Sequence, residues 1–277
     1  MQPDVTAVVL CWNDAERVLA MLARLETLSP RPGAVVVVDN GSSGNDADRI
    51  AAAFPAAVLV RLPANLGFAG GVNHGIREAL ERDSKWVWLL NTDIVMPDHV
   101  LGALRVVADS RERCGVAGVV FVEADGRIQA FGGGRVNLRS GVSRHVCSRF
   151  ERPDYLAAAC VLVSTSMLRE IGLFDERYFF YWEDVDLGFR AREAGWELLV
   201  ADRCRVIHDE GSTLGRWTSA RWYRLFEGLP RFLRGRAPAP GTAVLVRLLH
   251  HSAAMAKHRR WAALAGAWRG ALDGWRG

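Results

Sequence analysis

The stretch from Lys85 to Asp93 reads KWVWLLNTD, an apolar run that ends in a carboxylate. Its aliphatic and aromatic residues predict a strand that is buried on both faces. Open α/β sheets bind ligands beyond the carboxyl ends of their strands, which is where Asp93 would lie. Because hard cations prefer oxygen ligands, Asp93 is a candidate ligand for Mg²⁺ or Mn²⁺.

A second acidic site lies far downstream, where residues 181–186 read YWEDVD. Its three carboxylates, Glu183, Asp184 and Asp186, lie within four residues at the predicted start of a helix. Crowded carboxylates repel one another, so at least one pKa should be raised, which suits a general base. The alternative is that acidic residues here satisfy free N–H groups at a helix N-terminus, and we expect this to account for Asp186.

The first hundred residues alternate between predicted strands and helices. The strands are Val5–Cys11, Ala34–Val38, Val58–Leu62 and Lys85–Leu90, and the helices are Ala15–Leu28, Gly70–Arg82 and one that begins at Pro97. Strands separated by helices predict βαβ units and a mostly parallel sheet flanked by helices, which is a Rossmann-like α/β fold.

The pattern changes after the predicted strand Val116–Val122. Ile128–Val136 is expected to form a hairpin or a bent strand, and Asn137–Pro153 a mobile loop near the candidate site. The remaining predictions are strands at Leu156–Val163, Glu197–Val200 and Arg205–His208, helices at Ser166–Ile171 and Asp184–Ala194, and a linker at Arg231–Gly241 that leads into a final helical pair. We expect two domains, residues 1–212 and residues 213–277.

Charge is distributed unevenly along the chain. Its 277 residues are 50% apolar with a net charge of +4, yet residues 212–277 hold 12 Lys and Arg against 2 Asp and Glu and half of the ten tryptophans. No basic recognition helix or zinc pattern accompanies this charge, so we expect no nucleic-acid partner. An anionic membrane surface accounts for both the charge and the tryptophans.

An apolar stripe lies near the carboxyl end of the chain. Its residues recur at spacings of three and four and are Trp261, Leu264, Trp268, Leu272 and Trp275. This spacing predicts one face of a helix. Two interpretations stay open, namely a membrane-binding face and a face packed on the catalytic domain or on a second subunit in a homodimer.

Cysteine usage and hydropathy indicate the compartment. The five cysteines have no CxxC spacing, and Cys11 and Cys160 lie in apolar runs, which is typical of buried free thiols in a reducing compartment. We expect no signal peptide, and no apolar run approaches the roughly 18 residues needed to span a bilayer. The sequence therefore predicts a cytoplasmic protein, with peripheral binding at the inner face of the plasma membrane as an extension.

Three further features are weaker on their own. Asp39 follows four valines and can accept a hydrogen bond from a nucleotide base, although Asp-Asn-Gly is also good turn chemistry. The glycine-rich segment Asn65–Asn73 precedes a helix and suits a diphosphate or a structural turn, but it is neither a P-loop nor a dinucleotide fingerprint. His208 ends a predicted strand beside a glycine loop and is either structural or a metal or phosphate contact.

Taken in order, these segments resemble the family-2 inverting glycosyltransferases with the GT-A fold. The resemblance covers residues 5–212 and rests on five ordered motifs. They are VVLCWN at 8–13, VVDNGS at 37–42, NLGFAGG at 65–71, LNTD at 90–93, and FDE at 174–176 leading to YWEDVDL at 181–187. The likeness extends to the bacterial rhamnosyltransferase-like branch that builds O-antigen, exopolysaccharide and cell-wall linkers.

The resemblance implies a role for each matched residue. Asp184 would be the base, with Glu183 as its rival, and Asp93 would bind Mg²⁺ or Mn²⁺ together with His208. Tyr181 and Trp182 would form a platform for the acceptor sugar, with core packing as the alternative. The residues expected to bind the donor are Cys11, Trp12, Asn13, Asp39, Asn65, Gly67, Gly70, Gly71, Asn73, Asn91 and Thr92. Asn91 departs from the family pattern, because it replaces the first carboxylate of an Asp-x-Asp motif.

The implied reaction moves a sugar, with rhamnose as a candidate, from a dTDP- or UDP-sugar to a saccharide or lipid-linked acceptor in the synthesis of cell-surface polysaccharide. A sugar-phosphate nucleotidyltransferase is a rival, but it would want a Gly-rich, basic loop after the first strand, where Trp12-Asn13-Asp14-Ala15 stands. A second rival is a membrane-associated scaffold in which Asn91 marks weakened catalysis.

Overall fold

The computed structural model describes residues 4–208 and 218–276. The strands are β1 Val5–Cys11, β2 Ala34–Asp39, β3 Val58–Arg61, β4 Trp86–Leu90, β5 Ile94–Val95, β6 Cys114–Val122, β7 Ile128–Phe131, β8 Gly133–Asn137, β9 Val142–His145, β10 Tyr155–Leu156, β11 Cys160–Ser164 and β12 Glu197–His208. The helices are α1 Ala15–Thr27, α2 Asp46–Ala53, α3 Gly67–Glu81, α4 Val100–Ala108, α5 Thr165–Ile171, α6 Glu183–Glu193, α7 Ser219–Arg234, α8 Pro240–Lys257 and α9 Trp261–Arg276.

The central sheet has the strand order β3-β2-β1-β4-β11-β6-β12-β5, with β7 paired to β6. Strands β1 to β4 run parallel, and β12 runs parallel to β6. The antiparallel members of the sheet are β5, β7 and β11. The predicted fold, a mostly parallel sheet flanked by helices, is confirmed.

Side-chain alternation along the strands divides the core between the two faces of the sheet. Val9 of β1 and Trp88 of β4 pack with α1 and α4 on one face. Their neighbours Val8 and Leu89 pack with α3, α5 and α6 on the other. Both faces are therefore apolar, and polar groups accumulate at the carboxyl ends of the strands.

The structure corrects several predicted elements. Asn137–Pro153 contains β9, which pairs with β8 in a second, three-stranded sheet, so it is more ordered than the predicted loop. The predicted strand Leu156–Val163 is divided into β10 and β11, and the two predicted strands after residue 197 are one strand with a bulge between Ala201 and Arg205. Helix α2 was not predicted.

The chain ends in helices α7, α8 and α9, as predicted for a C-terminal helical extension. The predicted linker Arg231–Gly241 is shorter in the structure, because α7 continues to Arg234 and α8 begins at Pro240, which leaves residues 235–239 as the connection. The predicted domain boundary after residue 212 falls within 209–217, outside the described residues. No helix in the described part of the chain is long and apolar enough to cross a bilayer.

Candidate active site

A cleft of about 290 Å³ opens at the carboxyl edge of the central sheet. It brings together seven of the residues singled out in the sequence: Asn91, Asp93, Tyr181, Trp182, Glu183, Asp184 and His208. Two segments more than 80 residues apart in sequence thus meet in one cavity. The position agrees with the general rule for ligand sites in open α/β sheets.

The pairing of β5 with β12 brings Asp93 next to His208. His208 is paired in register with Ile94, the residue that follows Asp93. The Asp93 Oδ1 and His208 Nε2 atoms are 3.6 Å apart, and the two side chains are only 13% and 12% exposed. A carboxylate oxygen and an imidazole nitrogen that face one cleft fit a divalent cation whose other ligands come from a diphosphate and water. Residues 4–208 and 218–276 contain no cluster of three or more metal-ligating side chains.

A left-handed turn at Tyr181 and Trp182 precedes α6, whose first carboxylates line the cleft. Tyr181 and Trp182 have φ angles of 69° and 75°, which are costly for bulky L-residues. The turn directs the Trp182 indole into the C-terminal helices, where it stacks on Phe232 and donates to the carbonyl oxygen of Leu225 at 2.7 Å. Trp182 is 4% exposed, which favours core packing over an acceptor platform.

Tyr181 is the more accessible of the two aromatic residues. Its ring contacts Phe180 with the centroids 4.5 Å apart, and the Arg221 guanidinium lies 5.4 Å from its centroid. Both Phe180 and Arg221 line the same cleft. Tyr181 and Phe180 therefore form an aromatic surface in the cleft.

Loss of hydration raises the pKa values of two neighbouring carboxyl groups, those of buried Glu183 and half-buried Asp184. Burial, and then the charge of Asp184, raise the pKa of Glu183 well above its usual value. Burial raises the pKa of Asp184 to about 6, opposed by the backbone N–H groups of Val185 and Ala158. With a pKa of about 6, Asp184 is mostly ionised at neutral pH, which is the state that a general base needs, while burial favours the neutral form of Glu183.

Asp186 is separated from this chemistry by its own partners. It accepts hydrogen bonds from Arg190 at 2.7 Å and from Arg236 at 2.9 Å, and it is 4% exposed. The Arg236 contact joins α6 to the end of α7. Asp186 therefore stabilises the junction of the helices, in agreement with its predicted structural role.

The loops after β1 and β2 form a second part of the same sheet edge. Asn13 has a φ of 52° and accepts a 2.8 Å hydrogen bond from the Ser43 backbone N–H, while the Ser42 Oγ accepts one from the Asn13 N–H. Asp39 is buried at the end of β2, in register with Cys11. Trp12, which is 43% exposed, lies between Cys11 and Asn13 in the chain. These four predicted donor residues therefore lie on neighbouring strands, at the edge where β4 presents Asn91.

The glycine-rich segment is held in place mainly by packing. Asn65 Oδ1 accepts from the Gly67 N–H at 2.8 Å, and Gly67 has a φ of 76° and contacts Phe179. Cβ atoms at Gly70 and Gly71 would overlap Leu66 and Leu10, so these glycines allow close packing. Asn73 bonds to Phe174 and Glu176, away from the cleft lining. Thr92, half-buried, lies between Asn91 and Asp93.

Sequence reasoning missed several residues that line the cleft. They come from the second sheet, from α7 and from aromatic residues elsewhere, and the polar ones are Ser143, His145, Tyr155 and Arg221. Tyr155 and Ser143 share a 3.0 Å hydrogen bond, and the charge of His145 favours ionised Asp184. Their sequence contexts are polar and aperiodic, and their convergence depends on contacts between distant elements, so no local pattern marked them.

The described chain matches the family model Glycosyltransferase like family 2 over residues 3–224. It is 29% identical to the N-acetylglucosaminyl-diphospho-decaprenol L-rhamnosyltransferase of Mycobacterium tuberculosis over 241 residues, which are 77% of this chain and 78% of the relative.

Two solved structures show the same fold at low identity. A mannosyltransferase from Pyrobaculum calidifontis, in complex with GDP-Man and Mn²⁺, superposes with a TM-score of 0.60 at 18% identity over 98% of this chain and 74% of its own. GalNAc-T7, with UDP, GalNAc and Mn²⁺, gives a TM-score of 0.66 at 14% identity over 84% of this chain and 48% of its own. The chain thus spans about half the length of GalNAc-T7. The family match over most of the chain and the GT-A architecture together establish that this protein belongs to the family 2 glycosyltransferases.

Proposed function

We propose that the protein transfers a hexosyl group, with rhamnose as the leading candidate, from a nucleoside-diphosphate donor to a lipid-linked sugar with inversion at the anomeric carbon. The observation that carries this proposal is the meeting of an ionised carboxylate, Asp184, with the Asp93–His208 pair in one cleft. Inverting transfer needs one group that removes a proton from the acceptor hydroxyl and another that stabilises the leaving diphosphate. The two are present at one sheet edge.

Asp184 is the proposed base. A base must be ionised before it can accept the hydroxyl proton, and burial together with the charge of Asp184 favours the neutral form of the neighbouring Glu183. In the transfer step, the acceptor oxygen attacks the anomeric carbon as Asp184 takes its proton. The bond between that carbon and the diphosphate oxygen breaks, and the electron pair leaves with the diphosphate.

Asp93 and His208 are the proposed holders of Mg²⁺ or Mn²⁺. A bound divalent cation would neutralise the charge that develops on the departing diphosphate. With Asn91 in place of a carboxylate, the protein would supply one negative charge fewer to a bound cation, which would then depend more strongly on the donor phosphates. Arg221 of α7 faces the same cleft and supplies a fixed positive charge.

The loops after β1 and β2 are the proposed nucleotide site. Asp39 offers a carboxylate at the end of β2, and Ser42 and Asn13 fix the neighbouring loop around it. Exposed Trp12 offers an aromatic surface there. The donor would therefore extend from this end of the sheet edge towards Asn91, Thr92 and Asp93, with a dTDP- or UDP-sugar as the expected substrate.

The acceptor side is proposed to consist of Tyr181, Phe180 and the second-sheet residues His145 and Tyr155. The mycobacterial relative is named for transfer of L-rhamnose to an N-acetylglucosaminyl diphospholipid. That chemistry supports a sugar linked through a diphosphate to a polyprenol as the acceptor. Such a lipid would place the protein at the inner face of the plasma membrane.

The decisive experiment measures nucleoside diphosphate release with a panel of dTDP-, UDP- and GDP-sugars, with and without a synthetic N-acetylglucosaminyl diphospholipid. We expect one donor to be consumed only when the acceptor and a divalent cation are both present, and to yield a product of inverted configuration. A protein that binds no nucleotide sugar, or that forms nucleotide sugars from sugar phosphates, would contradict the proposal.

A further inference from the structure

One face of helix α9 packs closely against helix α7. Gly266, Gly270 and Gly274 lie against the backbone of α7, where a Cβ on each would overlap a carbonyl oxygen of Ser219, Tyr223 or Glu227. The intervening alanines at 263, 267 and 271 are buried in the same interface. Because the two backbones touch, α9 is fixed in rotation about its own axis. Its opposite face must therefore point away from α7.

That opposite face holds the large apolar residues. Trp261 is 60% exposed, Leu272 56%, Trp275 45% and Trp268 38%. Leu264, the fifth member of the predicted stripe, is half-buried and packs against the C-terminal core, and the Arg234 guanidinium lies 5.3 Å from the Trp275 ring centroid. The close packing of α9 on α7 depends on glycine and alanine, and four of the five stripe residues keep large exposed fractions.

Helix α8 extends this apolar surface. The Trp268 Nε1 donates to Ser252 Oγ at 2.9 Å, which holds α8 beside α9. Leu245 and Leu249 of α8 are 48% and 54% exposed. We name the combined surface the docking face; its members are Leu245, Leu249, Trp261, Trp268, Leu272 and Trp275. Seven of the twelve large exposed hydrophobic residues in the described chain lie on α8 and α9, which is a patch rather than scattered exposure.

Positive charge surrounds the docking face. Five exposed basic residues lie near it, at the α8–α9 turn and along α9. They are Lys257, Arg259, Arg260, Arg269 and Arg276. In residues 240–276 the acidic side chain is Asp273, which accepts from the Tyr223 hydroxyl at 3.1 Å and lies 3.8 Å from Arg276. The surface is therefore strongly cationic.

We propose that the docking face binds the surface of a membrane that contains anionic lipids. Tryptophan is favoured at the boundary between headgroups and acyl chains, while arginine and lysine are attracted to anionic headgroups. A second copy of this chain fits less well, because self-pairing about a two-fold axis would bring the same arginines towards one another. Charge complementarity therefore selects the lipid surface.

The attachment also has a geometrical consequence. Helix α7 meets α9 through Ser219 and Tyr223, and it lines the cleft with Arg221 and Leu225. One helix thus connects the docking face to the cleft, so attachment to a bilayer would fix the orientation of the cleft relative to it. The docking face does not depend on the identity of donor or acceptor, and its test uses no transfer reaction.

The test is co-sedimentation of the full chain with vesicles of phosphatidylcholine alone and with phosphatidylglycerol added. We expect the wild type to bind the anionic vesicles at least tenfold more strongly and to lose most of that preference in high salt. Brominated acyl chains should quench tryptophan fluorescence on binding.

Two variants and a matched control identify the surface. The triple variant Leu249→Ser, Trp261→Ser, Leu272→Ser should lose at least tenfold in vesicle binding, whereas Val106→Ser with Phe150→Ser, which removes exposed apolar groups elsewhere, should bind as the wild type does. Arg259→Gln with Arg269→Gln should lose the preference for anionic lipid. Unchanged thermal unfolding of the triple variant will show that it is folded.

Three results would overturn the proposal: a wild type that fails to bind anionic vesicles, a triple variant that binds like the wild type, or binding that ignores lipid charge. A dimer in sedimentation velocity that the triple variant abolishes, without vesicle binding by the wild type, would assign the docking face to a second copy instead.

Discussion

The cleft buries a polar group that is usually exposed, whereas the α8–α9 hairpin exposes apolar groups that are usually buried. The cleft buries a carboxylic acid, Glu183, at 6% exposure, whereas the hairpin exposes the indole of Trp261 at 60%. Folding alone favours neither arrangement, because buried carboxylates lose hydration and exposed tryptophans gain nothing from the core. Each arrangement therefore indicates a role beyond stability, with proton transfer at the cleft and association at the hairpin.

The difference predicts how variants should divide. Replacement of the Asp184 carboxylate in the cleft should reduce turnover without reducing stability, because it removes a charge that burial disfavours. Changes on the docking face should affect association but neither turnover in detergent nor stability. Changes in the Gly and Ala face of α9 should affect stability first. A docking-face variant that lowers turnover or stability, or an Asp184 variant that lowers stability, would weaken the contrast between the two regions.

The largest effect is expected at Asp184. Asp184→Asn removes the proton acceptor while it keeps a similar shape, so kcat should fall by about 10³- to 10⁴-fold with little change in donor binding. Single-turnover kinetics and a donor titration measure the two quantities separately. The melting temperature should stay level or rise.

Two neighbouring residues serve as controls for Asp184. Glu183→Gln keeps the shape of a carboxyl group whose neutral form is favoured by burial, so it should retain far more activity. An inactive Glu183→Gln beside an active Asp184→Asn would transfer the role of base to Glu183. Asp186→Asn removes the negative charge that pairs with Arg190 and Arg236 and one of the two oxygens that accept from them, so it should lower stability more than activity.

The second effect concerns the cation. Asp93→Ala should reduce transfer by about 10²- to 10³-fold and weaken Mg²⁺- or Mn²⁺-dependent binding of the nucleoside diphosphate, because His208 alone is a poor site for a hard cation. Isothermal titration of the diphosphate with and without Mn²⁺ measures this directly. Asn91→Asp should leave activity similar and tighten cation binding. Wild-type turnover in Asp93→Ala would refute the assignment.

The third effect is a loss of stability from changes on the face of α9 that packs against α7. Gly270→Ala places a methyl group against the Tyr223 carbonyl oxygen and should lower the free energy of unfolding by about 1–3 kcal/mol. Leu272→Ser, two residues further on at 56% exposure, should change it by less than about 0.5 kcal/mol. Chemical denaturation of both variants checks the contrast, and equal losses would mean that Leu272 is packed in solution.

Much of this arrangement was predictable from the sequence because it depends on short-range patterns. The run of valines before Asp39 and the apolar run before Asp93 predicted buried strands with polar ends, and the order of the motifs predicted the fold family. The helix of Glu183 and Asp184 was predicted to within one residue at each end. In each case local periodicity and the position of a carboxylate carry the information.

The remaining features depend on long-range packing. Which face of α9 packs could not be predicted, because a Trp and Leu stripe has the higher hydropathy, whereas backbone contact favours glycine. For Trp182 the sequence left an acceptor platform and core packing open, because the direction of the side chain is set by two left-handed residues that no propensity predicts. His145 and Arg221 enter the cleft from the second sheet and from α7, so their roles depend on tertiary contacts.

The last expected effect is the pH dependence of kcat/KM, which tests whether burial at the cleft determines the pKa of the base. Burial raises the pKa of Asp184 to about 6, and only its ionised form can accept a proton, so kcat/KM should fall about tenfold for each pH unit below about 6 and level off above it. An ordinary aspartate would place this break near about 4.

Stability should respond to pH in the opposite sense. Carboxyl groups with raised pKa values bind more protons in the folded than in the unfolded chain, so their contribution is fully present below the ordinary pKa and is lost as pH rises through the raised one. Glu183→Gln should flatten this loss and leave the kinetic break near 6, because burial is the main cause of the Asp184 shift. Rate profiles and melting temperatures between about pH 5 and 8 for both proteins provide the measurement. A kinetic break that vanishes in Glu183→Gln would show that Glu183, rather than Asp184, titrates in the transfer step.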